Sequence, residues 1–432
     1  MLEKGKKYEI RIHDFSHNGE GVGRIDGIPV FVPGVLPGEK AQIRLTEVKK
    51  RFARGLLLEL ESLSPERRTP PCPVYERCGG CSLQHLSDAA QLEMKRNKVQ
   101  QALKRIGGQE DLPVTGTWGM DDPWRYRNKV QFQVQDSQLG YFSYHSHKFV
   151  PIHDCLLLPG DMVALKKRIE NLLHGSEIHP EQVVLRKSRR TGTFMVLFQG
   201  PRPGRHLLKT LGETLGRDPE ISSLGWVESS SHRYSHVYGQ DYMEEEILGL
   251  VFRISPQSFT QVNHVQMENL YRYVLDKAEI RPTDLVLDLY CGIGTLTCLA
   301  ARKAYKAVGI EQVHAAIADA KLNARNNGLD NLTFHAGDAE ALLPELVSAG
   351  MVPDVVILDP PRAGARKEVL YALLLAGPRT LCYISCDPAT LARDLEILTS
   401  SGDYRIHTVK PVDLFCQTHH VETVVRLQRQ NP

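Results

Sequence analysis

Leu285-Val286-Leu287-Asp288-Leu289-Tyr290-Cys291-Gly292-Ile293-Gly294-Thr295 is the stretch on which the fold turns. An apolar run carrying one acid breaks into a glycine turn, and a helical pattern follows through Ala301. A strand covered on both faces needs apolar side chains on both, so it reads as a continuous run rather than an alternation. The same texture recurs four times downstream. Ala307–Ile310 ends in Glu311, and Leu332–His335 is followed by Gly337-Asp338. Val355–Leu358 ends in Asp359-Pro360-Pro361-Arg362, and Thr380–Ile384 in Ser385-Cys386-Asp387-Pro388. Strands alternating with helices predict a doubly wound, Rossmann-like parallel sheet over 256–432, with ligands at the carboxyl ends of the strands.

The turn also narrows the ligand. A dinucleotide site favours G-x-G-x-x-G, where the third glycine lets helix and strand pack closely beside a pyrophosphate. Here that position is Thr297. The turn fits S-adenosylmethionine better, which carries ribose and adenine but no phosphate. Glu311, 17 residues after Gly294, is placed to accept from the ribose hydroxyls, and Asp338 to face the adenine amine.

Upstream the texture differs. Lys7–His13, Ile28–Val32, Lys40–Val48 and Arg54–Leu63 read as short strands separated by glycine-rich breaks, which predicts a small β-barrel over 1–63. Gly19-Glu20-Gly21-Val22-Gly23, then Val30-Phe31-Val32-Pro33-Gly34 and Pro37-Gly38-Glu39, resembles the TRAM domain, an OB-like RNA-binding module. Residues 64–255 are expected to form a central α+β domain with helices near 87–106 and 206–217. Within it Cys72, Cys78 and Cys81 follow a C-x5-C-x2-C spacing, with Gly79-Gly80 allowing a tight turn. Three thiolates so close can wrap one soft centre, and Cys155 is the natural fourth ligand. Four thiolates suit zinc or an iron–sulfur cluster, and the spacing does not separate the two. Trp124-Arg125-Tyr126-Arg127-Asn128-Lys129 interleaves aromatic and basic residues at an expected strand start, a pattern that can stack on and clamp nucleic acid or be one exposed strand face.

Composition bounds the class. The 432 residues suggest two to four domains. With 42% hydrophobic and 24% charged residues the chain is neither disordered nor collagen-like. No apolar stretch of about 18 residues is present, so no membrane span is expected. The N-terminus lacks a signal-peptide pattern, which predicts a cytoplasmic protein, and nine cysteines there point to metal or catalysis rather than disulfides. The net charge of +2 hides a gradient: +5 over 1–110, zero over 111–255 and −3 over 256–432. Basic runs at Lys49, Lys50, Arg51 and Arg54, and at Arg186, Lys187, Arg189 and Arg190, can neutralise phosphates or form solvated faces.

Five fragments occur in order: Ser255-Pro256-Gln257-Ser258-Phe259-Thr260-Gln261-Val262-Asn263, Asp288-Leu289-Tyr290-Cys291-Gly292-Ile293-Gly294, Asp359-Pro360-Pro361-Arg362, Ser385-Cys386-Asp387-Pro388 and His420-Val421-Glu422-Thr423. Together they resemble the RNA uracil-5 methyltransferase family, in its TRAM-bearing, iron–sulfur branch. The resemblance implies a [4Fe–4S] cluster on Cys72, Cys78, Cys81 and Cys155. It implies Cys386 as nucleophile, Glu422 as base, and Gln261, Tyr290, Glu311, Asp359 and Asp338 as cofactor contacts. It implies methylation of uridine C5, in 23S ribosomal RNA, with uridine 54 of tRNA as the alternative and a non-catalytic RNA chaperone as a further one. No obligate protein partner is expected, and the chain is expected to be a monomer. Cys416 stands where the family commonly has proline, and Thr295 where it often has Asn. Cytosine-5 enzymes place a cysteine beside the proline of the fourth-strand motif, and Asp359-Pro360-Pro361-Arg362 has none.

Overall fold

A computed structural model describes residues 2–109, 112, 114–144 and 146–430. Strands β1 (Lys7–Phe15), β2 (Gly21–Ile25), β3 (Ile28–Val32), β4 (Lys40–Val48) and β5 (Ala53–Ser62) close into a barrel in the order β1-β2-β3-β5-β4. Alternation drives the closure: Ile10 and Ile12 of β1, and Ala41, Ile43 and Leu45 of β4, all point inward. The glycine run around Gly21 and Gly23 is itself a strand, not only a break between strands.

Helix α1 (Asp88–Arg105) follows, with Ser87 accepting from Ala90 N as its N-cap. The central sheet comprises β6 (Lys129–Gln135), β7 (Gln138–Phe142), β8 (Phe149–Pro151), β9 (Gln182–Lys187), β10 (Phe194–Gly200), β11 (Ile221–Glu228) and β12 (Tyr234–Gly239). Its order is β12-β11-β10-β9-β6-β7-β8. Helices α2 (Gly160–Leu173) and α3 (Arg205–Leu215) cover one face, and Phe132, Phe198 and Trp226 lie in the core between. A hairpin, β13 (Met243–Ile247) and β14 (Leu250–Ile254), leads into α4 (His264–Lys277).

The C-terminal sheet runs β15 (Leu285–Leu289), β16 (Lys306–Glu311), β17 (Leu332–Ala336), β18 (Val355–Leu358), β19 (Thr380–Ser385), β20 (Tyr404–Val412) and β21 (Glu422–Arg429). The order is β17-β16-β15-β18-β19-β21-β20, with the first five parallel and the last two antiparallel. The reversal at β15 leaves a crevice beside its carboxyl end, as expected of doubly wound sheets. Helices α5 (Thr295–Ala301), α6 (His314–Asn326), α7 (Ala339–Ser348), α8 (Lys367–Ala376) and α9 (Pro388–Thr399) connect the strands.

Residues 64–255 do not pack as one body. Val99 and Leu103 of α1 are buried with Leu391 and Leu395 of α9 and Val409 of β20. Each such side chain contributes roughly 1.5–3 kcal/mol of burial. Lys95 of α1 is fully buried and bonds Asp413 at 2.5 Å. Removing one partner of such a pair costs about 3–5 kcal/mol. The β13–β14 hairpin likewise joins the C-terminal core through Phe252 and Ile254. Asn323 of α6 accepts from Arg253 N at 2.7 Å and so fixes that hairpin. Among the described residues, no helix is long and apolar enough to cross a membrane.

Candidate active site

One cavity of about 1550 Å³ opens at the carboxyl ends of the parallel strands. Tyr290, just past β15, takes a left-handed backbone (φ 65°), and the turn continues through Gly292 and Gly294. A Cβ on Gly294 would lie 2.9 Å from the Phe334 ring, so both its φ of 77° and its surroundings require glycine. Thr297 donates to Asp288 at 2.6 Å, closing the turn onto its own strand. Glu311 accepts from Gly292 N at 3.2 Å and from Val313 N at 2.9 Å, so its carboxylate faces the turn. Tyr290, Glu311, Asp338, Asp359 and Gln261 all line the cavity. The buried Tyr290 hydroxyl has no partner, which leaves a donor free for a bound molecule.

The pairing of β19 with β21 brings Cys386 and Glu422 together. Ser385 sits opposite Thr423 in an antiparallel pair, so Cys386, one residue on, and Glu422, one residue back, lie side by side. Both line the same cavity. Burial, then the neighbouring Asp359, pushes the Glu422 carboxyl up to about 8. Burial pushes Asp359 up to about 7. Burial, then Glu422 and Asp359, pushes the Cys386 thiol up to about 11, while Arg362 opposes the rise. A cavity that disfavours several negative charges at once favours a cationic occupant, and a sulfonium is one. This and the orphaned Tyr290 hydroxyl fit the chemistry of S-adenosylmethionine.

Asp387, beside Cys386, caps α9 by accepting from Ala389 N and Thr390 N, with Pro388 in the first turn. His17, from the barrel, lies 3.4 Å from its carboxylate. The His17 contact and the two caps hold Asp387 well below the usual carboxylate range.

A second, smaller cavity of about 50 Å³ is lined by Cys72, Cys78, Cys81 and Cys155. Burial, and repulsion from the other cysteines, pushes Cys78 up to about 11 and Cys81 up to about 12. A Cβ on Gly79 would meet the Phe142 carbonyl at 2.8 Å, so the loop can fold this tightly only with glycine there. Among the described residues, no three His, Cys, Asp or Glu side chains are arranged to hold a metal ion. Four thiols nonetheless surround one space, a donor set of uniformly soft character. Arg127 lines both cavities, and its buried Nε has no partner.

A model of the tRNA (Uracil-5-)-methyltransferase family matches residues 229–430, and one of the TRAM domain matches residues 2–58. A protein of Listeria monocytogenes serotype 4b (strain F2365), named an uncharacterized RNA methyltransferase, is 38% identical over 450 residues, covering 99% of this chain and 98% of that protein. The chain belongs to the RNA uracil-5 methyltransferase family. A similarly named RNA methyltransferase of Clostridium acetobutylicum is 36% identical over 99% of this chain and 98% of its own. Among solved structures, the Pyrococcus abyssi tRNA (uracil-54, C5)-methyltransferase in complex with S-adenosyl-L-homocysteine matches with a TM-score of 0.76 and 27% identity, over 97% of this chain and 100% of that one.

This methyltransferase draws together all seven residues expected around the reaction, and all four expected cysteines around the smaller cavity. Two basic signals take other roles. Arg186 is buried and donates to the Ser258 carbonyl at 2.7 Å, Lys187 bonds Asp161, and Arg190 pairs with Glu246, so this run is not a free phosphate patch. Trp124–Lys129 does lead into a strand, β6, with Val130 and Phe132 buried and Gln131 and Gln135 exposed, but Arg125 and Tyr126 ahead of it are engaged within the protein. Arg125 forks onto Asp154 at 2.8 Å, and Tyr126 is buried with its hydroxyl on the Cys416 carbonyl. Asp319 has a structural role that the sequence hides. It accepts from Ser255 N, Ser255 Oγ and Ser258 Oγ, and so shapes the loop that carries Gln261. Cys298, Cys382 and Cys416 are buried, as core cysteines are.

Proposed function

We propose that this methyltransferase transfers a methyl group from S-adenosylmethionine to C5 of a uridine in 23S ribosomal RNA. The observation that carries the reading is the placement of Cys386 and Glu422 in the cavity that also holds Gln261, Tyr290, Glu311, Asp338 and Asp359. C5 of uracil is a poor nucleophile, so the reaction needs one activated thiol and one base. The Cys386 sulfur bonds to C6, and the C5=C6 electron pair moves toward C5 and the O4 carbonyl as an enolate. S-adenosylmethionine, when bound, supplies the electrophilic methyl that C5 takes. Glu422 then removes the C5 proton, the C5–H pair re-forms the double bond, and the Cys386 sulfur leaves with its electrons. Arg362 favours the thiolate of Cys386. Glu311 holds the ribose, Asp338 the adenine, and Gln261, Tyr290 and Asp359 the rest of the cofactor. The target base reaches so deep a site by leaving its stack.

In the same reading Cys72, Cys78, Cys81 and Cys155 hold a [4Fe–4S] cluster of structural role. Support comes from the all-thiol donor set around one small cavity. About four irons and four sulfides per chain in anaerobically purified protein are expected. One zinc per chain instead overturns this part.

Uridine 54 of tRNA is a second reading, favoured by the match to the Pyrococcus abyssi enzyme. Mass mapping of 5-methyluridine in ribosomal and transfer RNA, from cells with and without this protein, decides between them. Loss from ribosomal RNA is expected, and loss from tRNA alone selects the second. No loss from either, with cofactor still bound, means an RNA-binding protein without this activity.

A further inference from the structure

The loop of residues 413–421, between β20 and β21, delivers Glu422 and lays Phe415 and His420 on the cavity wall. At its centre Gln417 is fully buried with a left-handed backbone (φ 66°). A non-glycine residue persists there only where its surroundings over-determine it. The side chain shows how. Its Oε1 accepts from Arg68 Nη2 at 2.8 Å and from Gln91 Nε2 at 3.0 Å, and its Nε2 donates to Asp88 Oδ1 at 3.0 Å. The partners are themselves fixed, since Arg68 forks onto Asp88 at 2.7 and 2.8 Å. The Gln417 carbonyl accepts from Ser82 N at 3.0 Å and Leu83 N at 3.1 Å, the two residues after Cys81.

We propose that Gln417 is a positioning residue for proton abstraction: its buried amide locks the loop that places Glu422 against the substrate. The proposal rests on Glu422 being the base. Cys386 sits outside this loop, at the end of β19 beside the capping Asp387. Addition of the thiolate and methyl transfer meet the loop only indirectly, through His420 on Arg362 at 3.0 Å and the Phe415 wall, whereas product release depends on Glu422 itself. Loosening Gln417 should slow only the second half of the reaction, leaving methylated RNA attached to Cys386.

The test follows the covalent RNA–protein adduct and free methylated RNA in single turnovers of the full-length protein, on denaturing gels with labelled methyl groups. Gln417→Gly keeps the left-handed backbone and deletes the amide. Methyl transfer into the adduct is expected near the wild-type rate, with release about a hundred-fold slower. Gln417→Asn, one methylene shorter and tolerant of the left-handed region, is expected to fall between and serves if the glycine variant does not fold. Glu422→Gln is the reference and should retain its adduct. If Gln417 variants release product in the wild-type ratio to methyl transfer, or lose both steps equally, the proposal is overturned. If Glu422→Gln itself releases normally, the base assignment fails, and this inference with it.

Discussion

The two cavities are built on opposite plans. The larger, of about 1550 Å³, is open, and its wall carries acids and a thiol, Asp359, Glu422 and Cys386, that burial holds toward their neutral forms. The smaller, of about 50 Å³, is ringed by thiols, with Arg127 as its cation. The first suits ligands that come and go, and its groups change charge with what is bound. The second suits an occupant that stays. Arg127 belongs to both walls, so the two sites are adjacent rooms and not remote domains.

The largest expected effect separates the rooms completely. Cys386→Ala should abolish methyl transfer, by about 10⁴-fold or more, and abolish the adduct with 5-fluorouridine RNA, while iron content stays unchanged. Retained turnover removes Cys386 from the mechanism. Cys81→Ser should do the reverse first, emptying the smaller cavity of iron. Multiple turnover should then fall as well, by about ten-fold or more and at product release, because the adjoining Ser82 and Leu83 hold the Gln417 carbonyl. Full activity in an iron-free Cys81→Ser protein would show the rooms to be independent. Arg127→Gln tests the shared wall. It should reduce kcat/KM for RNA by about ten-fold and speed the loss of iron to a chelator, both measured on the same preparation. An effect on one alone would assign Arg127 to a single room.

The smallest effect concerns pH. The folded Glu422 carboxyl sits above its unfolded value, so the native state binds its proton more tightly. Its contribution is fully present below the usual carboxylate range and is lost as pH rises toward about 8. Melting of the cofactor-free protein should therefore weaken between pH 5 and pH 8, as read by calorimetry. Glu422→Gln should flatten that slope and raise the midpoint at pH 8 by on the order of 2 °C. An unchanged slope would mean that Glu422 is already ionised in the empty cavity.

Legibility follows the same contrast. The parallel sheet and its site are readable because buried strands are apolar runs and each ends on a chemically distinct residue: Glu311, Asp359, Cys386. The three clustered cysteines are readable for their spacing, and Cys155 as the fourth in the same half of the chain. Residues that work through tertiary bonds are not readable. Asp319 looks like any helical acid, Arg186 like part of a basic run, and Gln417 like a loop amide, until the fold brings them to a serine hydroxyl, a backbone carbonyl and a carboxylate respectively. Trp124–Lys129 is legible as the lead-in to β6 but not as a contact surface, since interleaved basic and aromatic residues look alike whether they face solvent or, as Tyr126 does, the interior.

Helix α1 carries a last consequence. It is made early, directly after the barrel and the cysteine loop, yet Val99 and Leu103 rest on α9 and β20, and Lys95 finds Asp413 far downstream. As the protein emerges from the ribosome, that helix must wait with an apolar stripe uncovered and an ammonium unmatched until nearly the whole chain has been synthesised. Birth order and docking order are inverted here. A protein stalled or clipped before β20 should lose the seat of its first helix, and an aggregation-prone face left open by a C-terminal break would lie near the N-terminus.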